Sequence, residues 1–592
     1  SASFEWNDHK INIIDTPGHI DFSSEVERTL RAMDSAILVL SAVEGIQAHS
    51  ETLWEALQEL KIPTLIFINK IDRAGSNTLD LIQDIKYSFS TDLVELQKVI
   101  GEGDERVKLE NIIREEQEID NELFIESIIN NDDKLMENYL NGVNLHKIEL
   151  LDSLIQQFHK CKLTPIFYGS VKYDIGINEL LEGITKLMPT TNGDDSKPLS
   201  GIVFKVEHDK AIGKVASVRL FNGSIHNRDK IKIYDTNKEE KISQIRRLQG
   251  ENFIDIGELH AGDTAAICGV QSLRAGDIIG NPEGINKAIK LNTALLTVKV
   301  FCEKSEEYSG LVRAMHILSD EDPSIELLWL KDERELHIKI MGLIQLEILK
   351  TILLNRFNLV VGFDKPTVIY KETVSTNGIG HEEYTMPKPC WAVVSFKIEA
   401  AERGSGLEYS SEVGVNHIAH RYQQEIERSL PIALKQGILG WEVTDLKITL
   451  VGGEHHNVHS RAGDFAVATA MAIMKGLKEM GTKLLEPMLD FKISAPESTL
   501  GKITSSLTTL RSEFGTAEIK DNKFTLTGHM PLSSSLEYST LLGSITGGKA
   551  KFKTKFSGYK ECPLEYGAKT EFRGVNPLDR AKYILKARKA LQ

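Results

Sequence analysis

The spacing of apolar residues divides the chain into two textures that meet near residue 190. Before that point, short apolar runs alternate with stretches in which apolar residues recur every three or four positions. The runs "KINIID" (10–15), "SAILVLSA" (35–42), "PTLIFIN" (63–69) and "TPIFYGS" (164–170) predict strands, the later ones apolar enough to be buried on both faces. Helices are expected over 21–33, where Phe22, Val26, Leu30 and Met33 share a face, over 50–60, across the charged stretch 80–160, and over 176–187. Residues 2–6 and 10–15 predict a hairpin over "NDH". This alternation implies an α/β domain over 1–190. "MPTTNGDDSKP" (188–198) collects Pro, Gly, Asn and Asp and reads as a linker.

Beyond the linker the texture becomes short alternating strands with recurring glycines, which predicts a β-barrel over 199–290. Residues 291–370, 371–485 and 486–570 each mix strands with an amphipathic helix and read as α+β sandwiches. A last segment, 571–592, carries a helix at 577–590 with Leu578, Tyr583, Ile584 and Leu585 among basic residues. At 592 residues, several domains are required.

Charge changes the picture at one end. The net charge of −15 argues against a nucleic-acid partner, yet residues 547–592 hold twelve Lys and Arg against four Asp and Glu. A basic end on an acidic body can dock on RNA through that end alone. Five scattered cysteines suit reduced thiols in a cytoplasm better than disulfides or zinc. No apolar run approaches the ~18 residues of a membrane span, and no membrane partner is expected.

The candidate chemistry sits at strand ends. "DTPGH" follows the strand 10–15. By itself it suits a strand-to-helix turn, with Pro17 and Gly18 as turn formers. It also matches a γ-phosphate loop. There Asp15 holds Mg²⁺ through water, Thr16, Pro17 and Gly18 let the backbone approach the phosphate, and His19 positions the attacking water. "NKID" follows the strand 63–69. Asp72 suits the guanine ring N1–H and exocyclic amine, Asn69 the Hoogsteen side, and the Lys70 stem the ring face. "GSVK" follows the strand 164–170, where Ser170, Val171 and Lys172 can offer a backbone N–H to guanine O6. Three such pieces at strand C-termini fit the usual ligand position of an open α/β sheet.

"DTPGH", "NKID" and "GSVK" together resemble the translational GTPases. "DKPTVIYKETV" (364–374), "GSGLEYSS" (404–411), "VTDLKITL" (443–450), "LLEPMLDFKISAPE" (484–497) and "GYKEC" (558–562) are similar to elongation factor G, in the same five-domain order. "PKPCWAVVSFKI" and the tail "RGVNPLDRAKYILKARKAL" (573–591) most resemble the tetracycline-resistance ribosomal protection proteins. The fold implied is multidomain α/β: a P-loop-type GTPase domain, a β-barrel (domain II), three α+β domains (III, IV, V) and a C-terminal helix. GTP and Mg²⁺ are the implied ligands, the ribosome the implied partner, and a monomer the implied state.

The resemblance also places the loop 452–465, "GGEHHNVHSRAGDF", at the tip of the fourth domain, which enters the decoding region in this family. Protection proteins usually carry a Pro-containing tip, whereas His455, His456, Asn457, Val458, His459 and Ser460 look more like the elongation-factor pattern. A metal site through His455 and His459 is the lesser reading and an RNA-contacting tip the better one. Arg573, Arg580, Lys582, Lys586, Arg588 and Lys589 of the tail are expected to meet phosphates.

By the same resemblance, a first strand, a phosphate loop with its Lys and Ser/Thr, and a first switch are expected before Ser1. That strand is expected between the strand holding Asp15 and the strand 35–42. On this reading the chain as printed is a GTPase domain lacking its phosphate loop and is impaired in nucleotide binding. The leading function is a ribosome-dependent GTPase that docks like elongation factor G and releases tetracycline from the small subunit. An elongation factor G paralogue for translocation or recycling, and a non-hydrolysing ribosome-binding fragment, are the alternatives. Intrinsic hydrolysis is expected to be slow, about 10⁻⁴ s⁻¹ as in Ras-like sites, with ribosomal RNA as activator.

Overall fold

The computed structural model describes residues 2–113, 119, 121–191, 193–209, 212–249, 252–331, 334–387, 389–520 and 522–590. The chain forms two compact bodies. The first comprises 1–293, 304–327 and 341–360, the second 294–303, 328–340 and 361–592.

In the first body a parallel sheet runs in the order Ala36–Ser41, Thr64–Asn69, Leu163–Tyr168, Asp92–Glu95. The strand Thr64–Asn69 explains its own apolar run. Leu65 and Phe67 enter one core with Phe124, Leu154 and Phe158, while Ile66 and Ile68 enter another with Trp54, Ile85 and Phe89. Both faces are covered by helices, and each fully buried aliphatic side chain contributes about 1.5–3 kcal/mol. The hairpin Ala2–Trp6 with His9–Ile13 turns through Asn7 and Asp8, both at positive φ, and forms a separate two-stranded sheet.

The stretch expected to be helical over 80–160 is mixed instead. Helices Thr78–Phe89, Glu122–Ile129, Asp133–Leu140 and Lys147–His159 are interrupted by strands Asp92–Glu95, Gln97–Ile100 and Lys108–Asn111. Leu93, Val94 and Leu96 are buried between exposed charged neighbours, too short an apolar pattern to stand out from the sequence. The helix expected over 21–33 is also shorter, a 3₁₀ turn Ile20–Phe22 and then a helix Ser23–Leu30.

The barrel strands order as Asn252–Asp255, Gln244–Gln249, Thr264–Cys268, Gly213–Asn222, Ser200–Asp209, Ile278–Gly280, around Val203, Val218, Leu220, Ile231, Ile245 and Ile279. The linker 188–198 is held against this barrel. Thr191 Oγ1 accepts from Arg219 at 3.3 Å, and Asp195 accepts from the Ala261 N–H and pairs with His260, each at 2.8 Å. Residues 291–370, expected as one domain, are divided. The helices Tyr308–Glu321 and Ile344–Phe357 lie in the first body, and the sheet built on Leu296–Cys302 lies in the second.

The second body holds a four-stranded sheet, Gly378–Tyr384, Ala392–Ala400, Leu446–His455, Leu407–Ser411. Helices His420–Ala433 and Asp464–Met480 cover it through Ile426, Leu430, Phe465, Met471 and Leu477. A seven-stranded sheet is built on Thr482–Pro496. Lys371–Val374 pairs with that strand, so the boundary expected at 371 moves: these residues belong to the last sheet. Glu372, fully buried, accepts from the N–H groups of Leu439 and Trp441 and from Thr482 Oγ1 at 2.7 to 2.9 Å. The C-terminal helix is Arg580–Ala587, and Ile584 completes the core of the four-stranded domain.

Candidate nucleotide site and tip loop

The strands Thr64–Asn69 and Leu163–Tyr168 are parallel neighbours, so their C-terminal loops emerge side by side. The two guanine-type loops are bonded to each other. Asn69 Oδ1 accepts from the Lys70 N–H at 2.8 Å and from the Val171 N–H at 3.1 Å, and the Ile71 N–H reaches Gly169 O at 3.4 Å. With its oxygen occupied, Asn69 has its Nδ2 group left to donate. Lys70 sits at φ 66°. Its Nζ pairs with Glu44 Oε1 at 2.9 Å, and that hydrogen bond holds the Glu44 carboxyl below its usual range. Both side chains are more than a third exposed, so the pair orients the lysine stem more than it stabilises the fold.

One buried polar atom here lacks a partner among the described residues, and one largely buried residue carries a carboxylate with no hydrogen bond. The Asp72 side chain is 8% exposed and makes no hydrogen bond, and Ser170 Oγ is buried and unsatisfied. A buried orphan such as Ser170 Oγ costs roughly 1–3 kcal/mol unless a ligand satisfies it. A ring offering N1–H and an exocyclic amine fits Asp72 directly. The Ser170 N–H is spent on Ile175 O and the Val171 N–H on Asn69, which leaves the Lys172 N–H of that turn for an acceptor. Lys172 Nζ bonds to Tyr173 Oη at 2.8 Å, and that bond, with Glu105 and Asp72 nearby, raises its pKa. Close packing demands glycine before the turn. A Cβ on Gly169 would sit 2.5 Å from both Ile175 O and the Phe67 ring.

Asp15, Thr16, Pro17 and Gly18 make no hydrogen bond to either guanine loop among the described residues, and Asp15, Gly18 and His19 are exposed. His19 Nδ1 accepts from the Asp21 N–H at 3.2 Å, which places the ring proton of the neutral form on Nε2. His49 is the nearby group that the sequence reading did not single out. Both its ring nitrogens are buried without partners, and burial first, then the neighbouring His19, depress its pKa. The turn after His19 is gripped from below. Asp21 is buried so close to Gly342 that a Cβ there would fall 2.1 Å from its carboxylate, and Ser23 Oγ donates to Met341 Sδ at 3.2 Å. Arg28 meets Asp322 at 3.1 Å, and Glu27 accepts from the Leu291 N–H at 2.6 Å.

The tip is smaller than the expected loop 452–465. Residues 452–455 continue the strand Leu446–His455, paired with Ala392–Ser395. His455 is held by its N–H and Nδ1, both bonded to His417 O. His456 closes the turn: its Nδ1 accepts from the N–H groups of Val458 and His459 at 3.2 Å each, and its own N–H donates to Ser460 Oγ at 2.8 Å. Ser460, expected to touch a partner, is buried, with Tyr422 Oη donating to its carbonyl at 2.9 Å. Asn457 and Val458 form the exposed apex, Val458 at 74%. Among the described residues His455 and His459 belong to no group of three or more side chains that could hold a metal ion.

Part of the basic tail is engaged within the protein itself. Arg580 pairs with Glu382 at 2.9 Å with its side chain 43% exposed, and Arg588 donates to Tyr384 Oη at 3.0 Å. Lys582 pairs with Asp579, the N-cap of its own helix, at 3.2 Å. Arg573, Lys586 and Lys589 remain as candidates for an external anion.

Four family models match along the chain. Residues 1–190 match the elongation factor Tu GTP binding domain, 198–281 elongation factor G domain 2, 366–480 elongation factor G domain IV, and 483–569 the elongation factor G C-terminus. The tetracycline resistance protein TetP of Clostridium perfringens is 36% identical over 99% of this chain and 90% of its own length. The tetracycline resistance protein TetM of Ureaplasma urealyticum is 31% identical over 94% and 86%. A solved chain from Thermus thermophilus shares the fold, with a TM-score of 0.61 at 23% identity over 99% of this chain and 90% of that one. The chain belongs to the elongation factor G superfamily of translational GTPases, in the group of tetracycline-resistance ribosomal protection proteins.

Proposed function

We propose that this protein is a ribosome-dependent GTPase that docks like elongation factor G and releases tetracycline from the small ribosomal subunit. The observation that carries the nucleotide half is the bonded pair of loops at Asn69 and Val171, beside Asp72, which makes no hydrogen bond among the described residues. That arrangement is complementary to guanine, which presents two donors to one carboxylate, and mismatched to adenine. Asp15 would hold Mg²⁺ through water, and the ion when bound neutralises charge on the γ-phosphate. His19, with Nδ1 anchored on Asp21, would turn Nε2 toward the attacking water when ribosomal RNA orders the loop.

The ribosomal half is supported by the relatives, whose names record tetracycline resistance, and by the closed, exposed tip at Asn457 and Val458. A second reading, translocation or recycling, is favoured by one feature only, the His-Asn-Val-His tip without proline. His19→Ala tests the enzymatic core. GTP affinity should stay near wild type while ribosome-stimulated hydrolysis falls by about 10²–10⁴-fold, because His19 acts on water rather than on ground-state binding. A variant with normal stimulated turnover would move the role to another residue.

A further inference from the structure

The C-terminal helix ends beside the base of the tip. Arg588, the residue that caps its C-terminus, donates from Nε to Tyr384 Oη at 3.0 Å and from Nη2 toward Pro389 O at 3.5 Å. Tyr384 is buried and lies opposite Ala392 in the sheet, and Ala392 in turn lies opposite His455, where the tip begins. The connection from Tyr384 to Ala392 is bonded to the tip itself. The Trp391 N–H reaches Asp464 Oδ2 at 3.4 Å, and the same carboxylate oxygen caps the Arg461 N–H at 2.9 Å. Ser460 Oγ donates to Trp391 O, and the Trp391 and His456 rings stand 5.4 Å apart. Arg588 is therefore linked to the turn 456–460 through Tyr384, its strand partner Ala392 and the adjoining Trp391. The other end of the helix is fixed separately: Arg580 and Lys475 both pair with the buried Glu382.

We propose that Arg588 is a positioning residue for the tip loop, acting through Tyr384 and residues 389–392, rather than a contact for ribosomal phosphate. The guanidinium matters for its fork, since it reaches a phenol oxygen and a carbonyl at once, which an ammonium on a lysine stem does not reproduce. A strut of this kind lets a short terminal helix set the order of a loop whose apex makes few contacts of its own.

Amide hydrogen exchange on the whole protein tests the strut without reference to its function. In Arg588→Ala and in Tyr384→Phe, exchange at Trp391 and over 456–464 should rise about tenfold or more, with amides of the seven-stranded sheet unchanged. Arg588→Lys should behave like the alanine variant, and the double variant should be no worse than either single one. Tyr384→Phe removes one oxygen and no charge, so it carries the test even if Arg588→Ala folds poorly. Wild-type exchange in Tyr384→Phe overturns the proposal. So does an Arg588→Lys variant that keeps full order while Arg588→Ala merely flattens the salt dependence of ribosome binding, the signature of a phosphate contact. The functional consequence rests on the proposed function: drug release should fall several-fold while ribosome-stimulated GTP hydrolysis stays intact. Raised exchange with normal release keeps the strut and removes the tip loop from the proposed release step.

Discussion

Asn69 carries two separable duties, and two substitutions pull them apart. Its Oδ1 holds the Lys70 N–H at 2.8 Å and the Val171 N–H at 3.1 Å, tying together the loops that would flank the base. Its Nδ2 is the group left for the ring. Asn69→Ala deletes both. Each lost bond is worth about 0.5–1.5 kcal/mol net, and the exposed Val171 amide recovers part of its share from water, so the structural loss is about 1–2 kcal/mol. If that order must be rebuilt when nucleotide binds, it appears as a roughly 5–30-fold weaker dissociation constant, before the missing base contact is counted. Asn69→Asp keeps an oxygen in place and should leave stability close to wild type, yet it loses the donor and adds a charge near Asp72. Affinity should therefore fall in both variants, while thermal stability and amide protection at Lys70 and Val171 fall in Asn69→Ala alone. Fluorescent-GDP titration and hydrogen exchange on the full-length protein read these outcomes. Equal stability loss in both variants, or none in Asn69→Ala, would refute the bridging role.

Two further substitutions test other parts of the account. Asp72→Asn should shift preference from guanine toward xanthine nucleotides, because the acceptor facing N1–H and the amine is partly replaced by a donor; competition among GTP, XTP and ATP checks this, and an unchanged ranking removes Asp72 from the base site. Burial raises the Glu372 carboxyl above its ordinary value despite the bonds from Thr482, Leu439 and Trp441. Its stabilising contribution is thus complete below the unfolded value of about 4.3 and declines as pH rises through the folded one, so wild type should lose stability relative to Glu372→Gln from about pH 4.5 upward. Parallel denaturation curves with pH-independent difference would contradict the assignment.

What the sequence discloses follows from where its chemistry is local. "NKID" and "GSVK" are legible because each follows an apolar strand, and the parallel pairing of those strands brings the loops together without further information. The strands at 92–95, 97–100 and 108–111 are not legible, because Leu93, Val94 and Leu96 are hidden among acids and lysine and acquire their meaning only beside Leu163–Tyr168. Lys371–Val374 likewise pairs with residues more than a hundred positions away. The tail misleads for a different reason. Arg580 and Arg588 look like free cations in sequence, and only their long-range partners, Glu382 and Tyr384, show that they are engaged within the protein. Ser460 sits in a polar, loop-like stretch, and its burial depends on Tyr422 and Trp391.

The most direct test of the account follows radiolabelled tetracycline bound to purified ribosomes as full-length protein and GTP are added. The account predicts that the drug leaves the small subunit in a GTP-dependent, multiple-turnover manner, and that His19→Ala sharply slows turnover. Ribosomes that stimulate GTP hydrolysis by this protein but retain their tetracycline, with messenger RNA advanced instead, would contradict it and make translocation the function.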